Sequence, residues 1–242
     1  MLRDAVRAYT AKEITPHAAR WDKENHFPRE ALQGLGAMGL YAVAVAEAWG
    51  GAGMDATSLA LAIEEISAGD GATSTIISVT NLTAGILNGF GSDAQKEAFL
   101  RPLARGELLG AFCLTEPHTG SDAAAITTRA ERRGDEYVLN GVKQFVTSGK
   151  TADLAIVFAV TDKSAGKRGM GAFIVPTSTP GYVVARLEEK SGQHASDTAQ
   201  IVLDNCAVPA ANLLGEEGLG YRIALANLES GRINIAAQAV GM

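Results

Sequence analysis

The densest run of side chains able to do chemistry is FCLTEPHTGSD, from Phe112 to Asp122. A hydroxyl at Thr115, a proline at 117 and a Gly120-Ser121 turn can expose several backbone N–H groups to an anion or a heteroaromatic edge. On residue types alone, a plain connecting loop fits equally well. A second candidate, GLGAMG at Gly34 to Gly39, spells the G-x-G-x-x-G of dinucleotide sites. That pattern works only where a strand enters it and a helix leaves, so that phosphate meets free N–H groups. Here Phe27-Pro28-Arg29-Glu30 and the Leu32/Leu35 spacing predict a helix running into the glycines. They read as a helix end and a close-packed turn, followed by extended or buried chain at Tyr41–Val45. His17, His26, His118 and His194 lack ligand spacing, so no metal site is expected.

The elements that must position these residues change character along the chain. Apolar stripes at Leu2, Val6 and Tyr9, and at Leu59, Ala62, Ile63 and Ile66, predict helices. Ser92-Asp-Ala-Gln95 is a capping box opening a further one. From Ala111 the period shortens. Tyr137–Leu139, Leu154–Phe158, Gly171–Val175, Tyr182–Val184 and Ile201–Leu203 read as strands, with Asn140-Gly141 as the strongest hairpin signal. Helical spacing returns at Ile223, Leu225, Leu228, Ile233 and Ile235. The expected class is α+β: an all-α domain over 1–110, an antiparallel β-barrel or sandwich over 111–214, and the first helix of a helical bundle over 215–242.

A net charge of -6 and the absence of a basic run exclude a nucleic-acid footprint. The uncharged stretch Gly71–Ser92 is crowded with Ser, Thr, Asn and Gly, which favours a buried helix over a membrane span. Two cysteines without C-x-x-C spacing, and an N-terminus without signal-peptide regions, point to the cytoplasm.

LTEPHTGSD, NGVKQFVTSG (Asn140 to Gly149), EEKSGQHASDTAQIVLDNCAVP (Glu188 to Pro209) and GEEGLGYRIALANLESGRINIAAQAVG (Gly215 to Gly241) together resemble the acyl-CoA dehydrogenase family. WGGAG at Trp49 to Gly53 fits the family's N-terminal part. The resemblance implies FAD and oxidation of an acyl-CoA thioester to its trans-2-enoyl form, with electrons passed to an electron-transfer flavoprotein and a homotetramer at full length. It places Phe112, Cys113, Leu114, Thr115, Glu116, Pro117, His118, Thr119, Gly120 and Ser121 along the flavin and its pyrophosphate. Thr115 would lie near the pyrimidine edge, and Ser121 would face both phosphate and thioester. Phe145, Val146 and Thr147 would lie against the flavin, Thr147 at N5. Ser121, Glu229, Ser230, Gly231 and Arg232 would contact the acyl-CoA, and Gly192–Thr198 would lie beside the CoA. The bland readings are a β-branched strand residue at Thr147 and a solvated turn at 192–198.

The family's third, helical domain begins here with one helix, so the glutamate base is expected beyond residue 242. A minority of relatives place the base at the position matching Gly231, which has no side chain to take a proton. Glu229, about 200° round a helix from Gly231, is not expected to serve. No catalytic residue is therefore assigned within the chain. Two alternatives stay open: a flavin oxidase or monooxygenase of the same superfamily, and a non-catalytic acyl-CoA-binding module.

Overall fold

The computed structural model describes residues 1–242. Helix α1 (Leu2–Tyr9) passes through a π turn at Thr10–Ile14 into α2 (Thr15–Glu24), followed by α3 (Arg29–Ala37), α4 (Ala56–Ser67) and α5 (Gly71–Phe90). Asp70 caps α5 by accepting from Thr73 N at 2.8 Å. The capping box at Ser92 forms as the spacing predicts, with Gln95 N donating to its hydroxyl at 3.2 Å and Gln95 Oε1 accepting from Ser92 N at 2.9 Å. It starts α6 (Asp93–Gln95), continued by a π turn and α7 (Arg101–Ala104). Glu65 of α4 is buried and accepts from Arg3 Nε at 2.6 Å and Arg7 Nε at 2.8 Å, fixing α1 to α4.

GLGAMG behaves as its upstream helix requires. Gly34 and Gly36 lie inside α3, and a Cβ at Gly36 would stand 2.9 Å from Gly106 Cα, so the glycine permits backbone contact rather than phosphate binding. Tyr41–Val45 is mainly buried but forms turns instead of a strand.

Seven strands follow: β1 (Gly110–Cys113), β2 (Arg129–Arg133), β3 (Glu136–Thr147), β4 (Leu154–Val160), β5 (Met170–Pro176), β6 (Tyr182–Leu187) and β7 (Thr198–Pro209). They form one sheet in the order β1-β4-β2-β3-β7-β6, with β5 also paired to β4. Pairing is antiparallel except for β1 with β4 and one β2–β4 pair, because β1 enters from the helical part and joins a strand far along the chain. β4 and β5 are buried almost throughout, as their unbroken apolar runs demand.

Asn140-Gly141 does not make the expected hairpin. β3 runs straight through it with a register shift, and the reversal falls at Gly134-Asp135, between β2 and β3. The reason lies in packing across the sheet. A Cβ at Gly141 would come within 2.4 Å of Thr128 Oγ1, while Asn140 Oδ1 accepts from Asn205 N at 2.9 Å. This glycine admits a close neighbour inside a bulged strand.

α8 (Gly220–Gly241) lies antiparallel across α5. Gln238 donates to Gly71 O at 2.9 Å and Ser74 Oγ at 2.7 Å at one end; Asn227 lies beside Gly85 at the other. The chain is thus α+β, with a helical N-terminal part, a curled sheet in the middle and a C-terminal helix. No helix is long and apolar enough to cross a membrane.

Candidate functional site

β3 supplies one wall. Between Lys143 and Val146 its register to β7 slips, and Phe145 takes φ +56° with 63% of its surface exposed. A bulky side chain in the left-handed region is strained and is retained only where its surroundings fix it. Exposure then alternates: Val146 is buried and Thr147 half-buried, so Phe145 and Thr147 share the open face.

The loop after β1 supplies the other wall. Thr115 O accepts from Gln144 N at 2.8 Å, which sets the loop directly beside the bulge. Phe112 is half-buried against Phe158, with ring centroids 5.0 Å apart. Cys113 and Leu114 are buried, and burial pushes the Cys113 thiol up to about 12, so it stays protonated. Pro117, His118, Gly120 and Ser121 are exposed; His118 Nε2 meets Ala125 O at 3.1 Å, and Thr119 Oγ1 donates to Asp122 O at 2.6 Å. The backbone N–H groups of Gly120, Ser121 and Asp122 make no hydrogen bond within the chain, nor do the hydroxyls of Thr115, Ser121 and Thr147. Unpartnered donors on a loop tied to a strand that bears an exposed aromatic ring suit a polyanionic heteroaromatic ligand.

Glu116 faces inward. Its carboxylate accepts from Lys143 Nζ at 2.8 Å, Thr128 N at 2.9 Å, Thr127 N at 2.7 Å and Thr127 Oγ1 at 2.9 Å. Burial works against its ionisation, but Lys143 and the other donors outweigh it and hold the carboxyl down at about 2. Burial also pulls the Lys143 ammonium below its ordinary value, with Glu116 opposing.

Thr147 opens onto a groove of about 560 Å³ shared with Thr75, Lys190, Gln193, Ser196 and Thr198. No carboxylate lines it. The Ser148 and Ser196 hydroxyls are buried without partners. The 190–198 loop is tied down by Asp197, which accepts from Lys150 N at 3.0 Å, and by His194, whose Nδ1 lies 3.0 Å from Asp22 Oδ2 and Nε2 2.7 Å from Lys190 O. Both ring nitrogens face acceptors, an arrangement in which the protonated imidazole donates twice, and hydrogen bonding to Asp22 raises its pKa.

The α8 residues separate. Gly231 faces α5, where a Cβ would meet Leu82 at 3.5 Å, whereas Glu229, Ser230 and Arg232 are exposed, and neither charged group has an ion-pair partner. The sequence reading did not single out the Lys143–Glu116 pair, the Asp22–His194 tether or a second groove of about 760 Å³ beside β2. That groove is lined by Arg129, Arg133, Lys163 and Glu131. Glu131 pairs with Arg133 at 2.8 Å, leaving Arg129 and Lys163 unpaired. Lys143-Gln144 between Val142 and Phe145-Val146 of β3 was the available signal for the first of these.

Residues 1–107 match the acyl-CoA dehydrogenase N-terminal domain, and residues 111–206 match the middle domain of the same enzymes. The chain belongs to the acyl-CoA dehydrogenase family. It is 46% identical to an acyl-CoA dehydrogenase of Bacillus subtilis, over all of this chain and 64% of that one. It is 44% identical to the mitochondrial short-chain specific acyl-CoA dehydrogenase of Rattus norvegicus, over all of this chain and 59% of that one. Butyryl-CoA dehydrogenase from Megasphaera elsdenii superposes with a TM-score of 0.96 at 40% identity, over 99% of this chain and 64% of that one. The chain thus spans about three fifths of the length of these curated relatives.

Proposed function

We propose that this chain is the flavin-binding part of an FAD-dependent acyl-CoA dehydrogenase acting on short acyl-CoA thioesters. The observation that carries the reading is the set of unpartnered donors at Thr115, Gly120, Ser121 and Asp122, on a loop that Gln144 N ties to β3, together with the unpartnered Thr147 hydroxyl and the exposed Phe145 on that strand. The Phe112–Ser121 loop and Phe145–Thr147 would hold the cofactor. FAD, when bound, supplies a two-electron acceptor for the β-hydride of the substrate. Thr147 would offer its hydroxyl to N5, and Ser121 would serve phosphate and thioester together. A polarised thioester carbonyl makes the α-proton more acidic. On this reading its acceptor would be a carboxylate from elsewhere, since no aspartate or glutamate side chain lines the groove beside Thr147.

The second groove carries Arg129 and Lys163 without ion-pair partners, and they would serve as a landing point for the phosphates of CoA. The short-chain preference is supported by the rat and Megasphaera relatives. Electron delivery to an electron-transfer flavoprotein, assembly as a homotetramer and a cytoplasmic setting belong to the same proposal.

The test is anaerobic mixing of the whole FAD-loaded protein with butyryl-CoA while flavin absorbance is followed. Loss of absorbance with formation of the enoyl product supports the reading. Butyryl-CoA binding without flavin reduction overturns it in favour of a binding module, and fast reoxidation by air favours an oxidase.

A further inference from the structure

The Lys143–Glu116 pair is buried beside the open site yet offers neither side chain to a ligand. Lys143 is completely buried, and its ammonium donates to Leu114 O at 3.1 Å as well as to Glu116. Glu116 in turn takes both N–H groups of Thr127 and Thr128. Two side chains therefore join the start of the loop (114–116), its end (127–128) and β3 at the first residue of the bulge. Between those ends, residues 117–126 carry Gly120 and Ser121, and two residues after Lys143 stands Phe145 in its strained conformation.

A buried ion pair is a poor source of stability. Desolvating two charges costs about as much as their attraction returns, and well-packed apolar residues of similar volume hold a fold as well or better. What the pair supplies that apolar side chains do not is directional fixing of three backbone groups, Leu114 O, Thr127 N and Thr128 N. We propose that Lys143 and Glu116 are positioning residues: they set the Thr115–Ser121 loop at a fixed distance from the Phe145–Thr147 wall, and so set the width of the flavin slot. This rests on the flavin reading above.

The test uses the paired replacement Lys143→Met with Glu116→Gln, which leaves no uncompensated buried charge, alongside the conservative Lys143→Arg. Three quantities are measured on the whole protein: the thermal midpoint, amide exchange across 116–128, where Glu116, Thr119, Ala125, Thr127 and Thr128 donate hydrogen bonds, and across 144–148, both without added FAD, and the FAD dissociation constant with the flavin's visible band shape. The expected result is a midpoint near that of the parent, amide exchange faster by about tenfold in those two segments alone, and FAD affinity weaker by about tenfold. The band should broaden, and Lys143→Arg should recover part of each change. Unchanged amide protection in the paired variant overturns the proposal, as does a midpoint that falls in step with flavin affinity. If the parent protein binds no FAD, the flavin reading fails, while the exchange measurement still decides whether the pair positions the loop.

Discussion

At the scale of single residues, the site depends on groups that make no bond within the chain. Thr147 is the sharpest: its hydroxyl has no protein partner, so Thr147→Val removes nothing that holds the fold. One hydrogen bond to a neutral ring nitrogen is worth roughly 0.5–1.5 kcal/mol, so flavin reduction should slow by about tenfold with FAD retained. Stopped-flow reduction by butyryl-CoA checks this, and an unaltered rate removes the role. His194 supplies the pH dependence. Hydrogen bonding to Asp22 raises its pKa above the ordinary 6.5, and the same contact lowers Asp22 below 3.8; the Lys190 ammonium is the other charged group facing it. A raised histidine contributes its full stability below 6.5 and loses it as pH climbs through the folded value; a lowered aspartate loses its share as pH falls through its own. The tether is therefore strongest between about pH 4 and 6.5. The protection of the 190–196 amides, after correction for the base-catalysed rise in intrinsic exchange, should fall between about pH 6 and about pH 9, and His194→Gln should abolish that fall. The loop's residue types fitted a ligand site and a plain connection equally, and both its flavin role and the place of GQHASDT beside the CoA came from resemblance. Asp22 was invisible as its partner, because the two stand 172 positions apart and no local pattern links them.

Elements whose identity follows from local pattern were legible: the stripes of α1 and α4, the box at Ser92 and the apolar runs of β4 and β5 each depend on neighbours in sequence. What local pattern misjudged was Asn140-Gly141, where a favourable turn dipeptide is overruled by the close approach of Thr128 from an adjoining segment. The joint between α1 and α4 is equally non-local, yet its energetics can be stated. Hydrogen bonding from Arg7 is the main cause that holds buried Glu65 at about 2, with burial opposing and Arg3 assisting. A carboxylate depressed on folding gives stability that is present above its ordinary 4.5 and is lost as pH falls toward about 2. Glu65→Gln should cost roughly 2 kcal/mol near neutral pH, since charged hydrogen bonds to two arginines go with it. It should also flatten the acid limb of the stability curve. Urea midpoints at several pH values read both effects, and parallel acid limbs for the two proteins would contradict them.

For the whole molecule, the distribution of apolar surface matters more than any single contact. Of the eleven exposed large hydrophobic residues, Leu225, Ile233, Ile235 and Val240 lie on α8, with Met242 just beyond it. Ile233 is 52% and Ile235 50% exposed, while Val240, 73% exposed, borders the groove between α8 and the Arg7, Glu64 and Ala68 side chains. The second concentration is on β6, where Val183, Val184 and Leu187 are exposed along a strand at the end of the sheet. Contiguous apolar surface of this kind promotes association. The two faces can be told apart because their remedies differ. A charge on the exposed side of α8, Ile233→Glu, should shift the 242-residue chain toward monomer in sedimentation velocity. Val184→Lys, which guards a strand edge in the manner of natural sheets, should leave association through α8 unchanged. Neither position lies in the core, so both variants should melt within about 2 °C of the parent, as surface changes of under 0.5 kcal/mol do in a chain of this size. A parent chain that sediments as a monomer at all concentrations would show that Arg222, Glu229 and Arg232, interspersed on the same side of α8, keep that face soluble on their own. A monomer produced by Val184→Lys alone would move the association to β6.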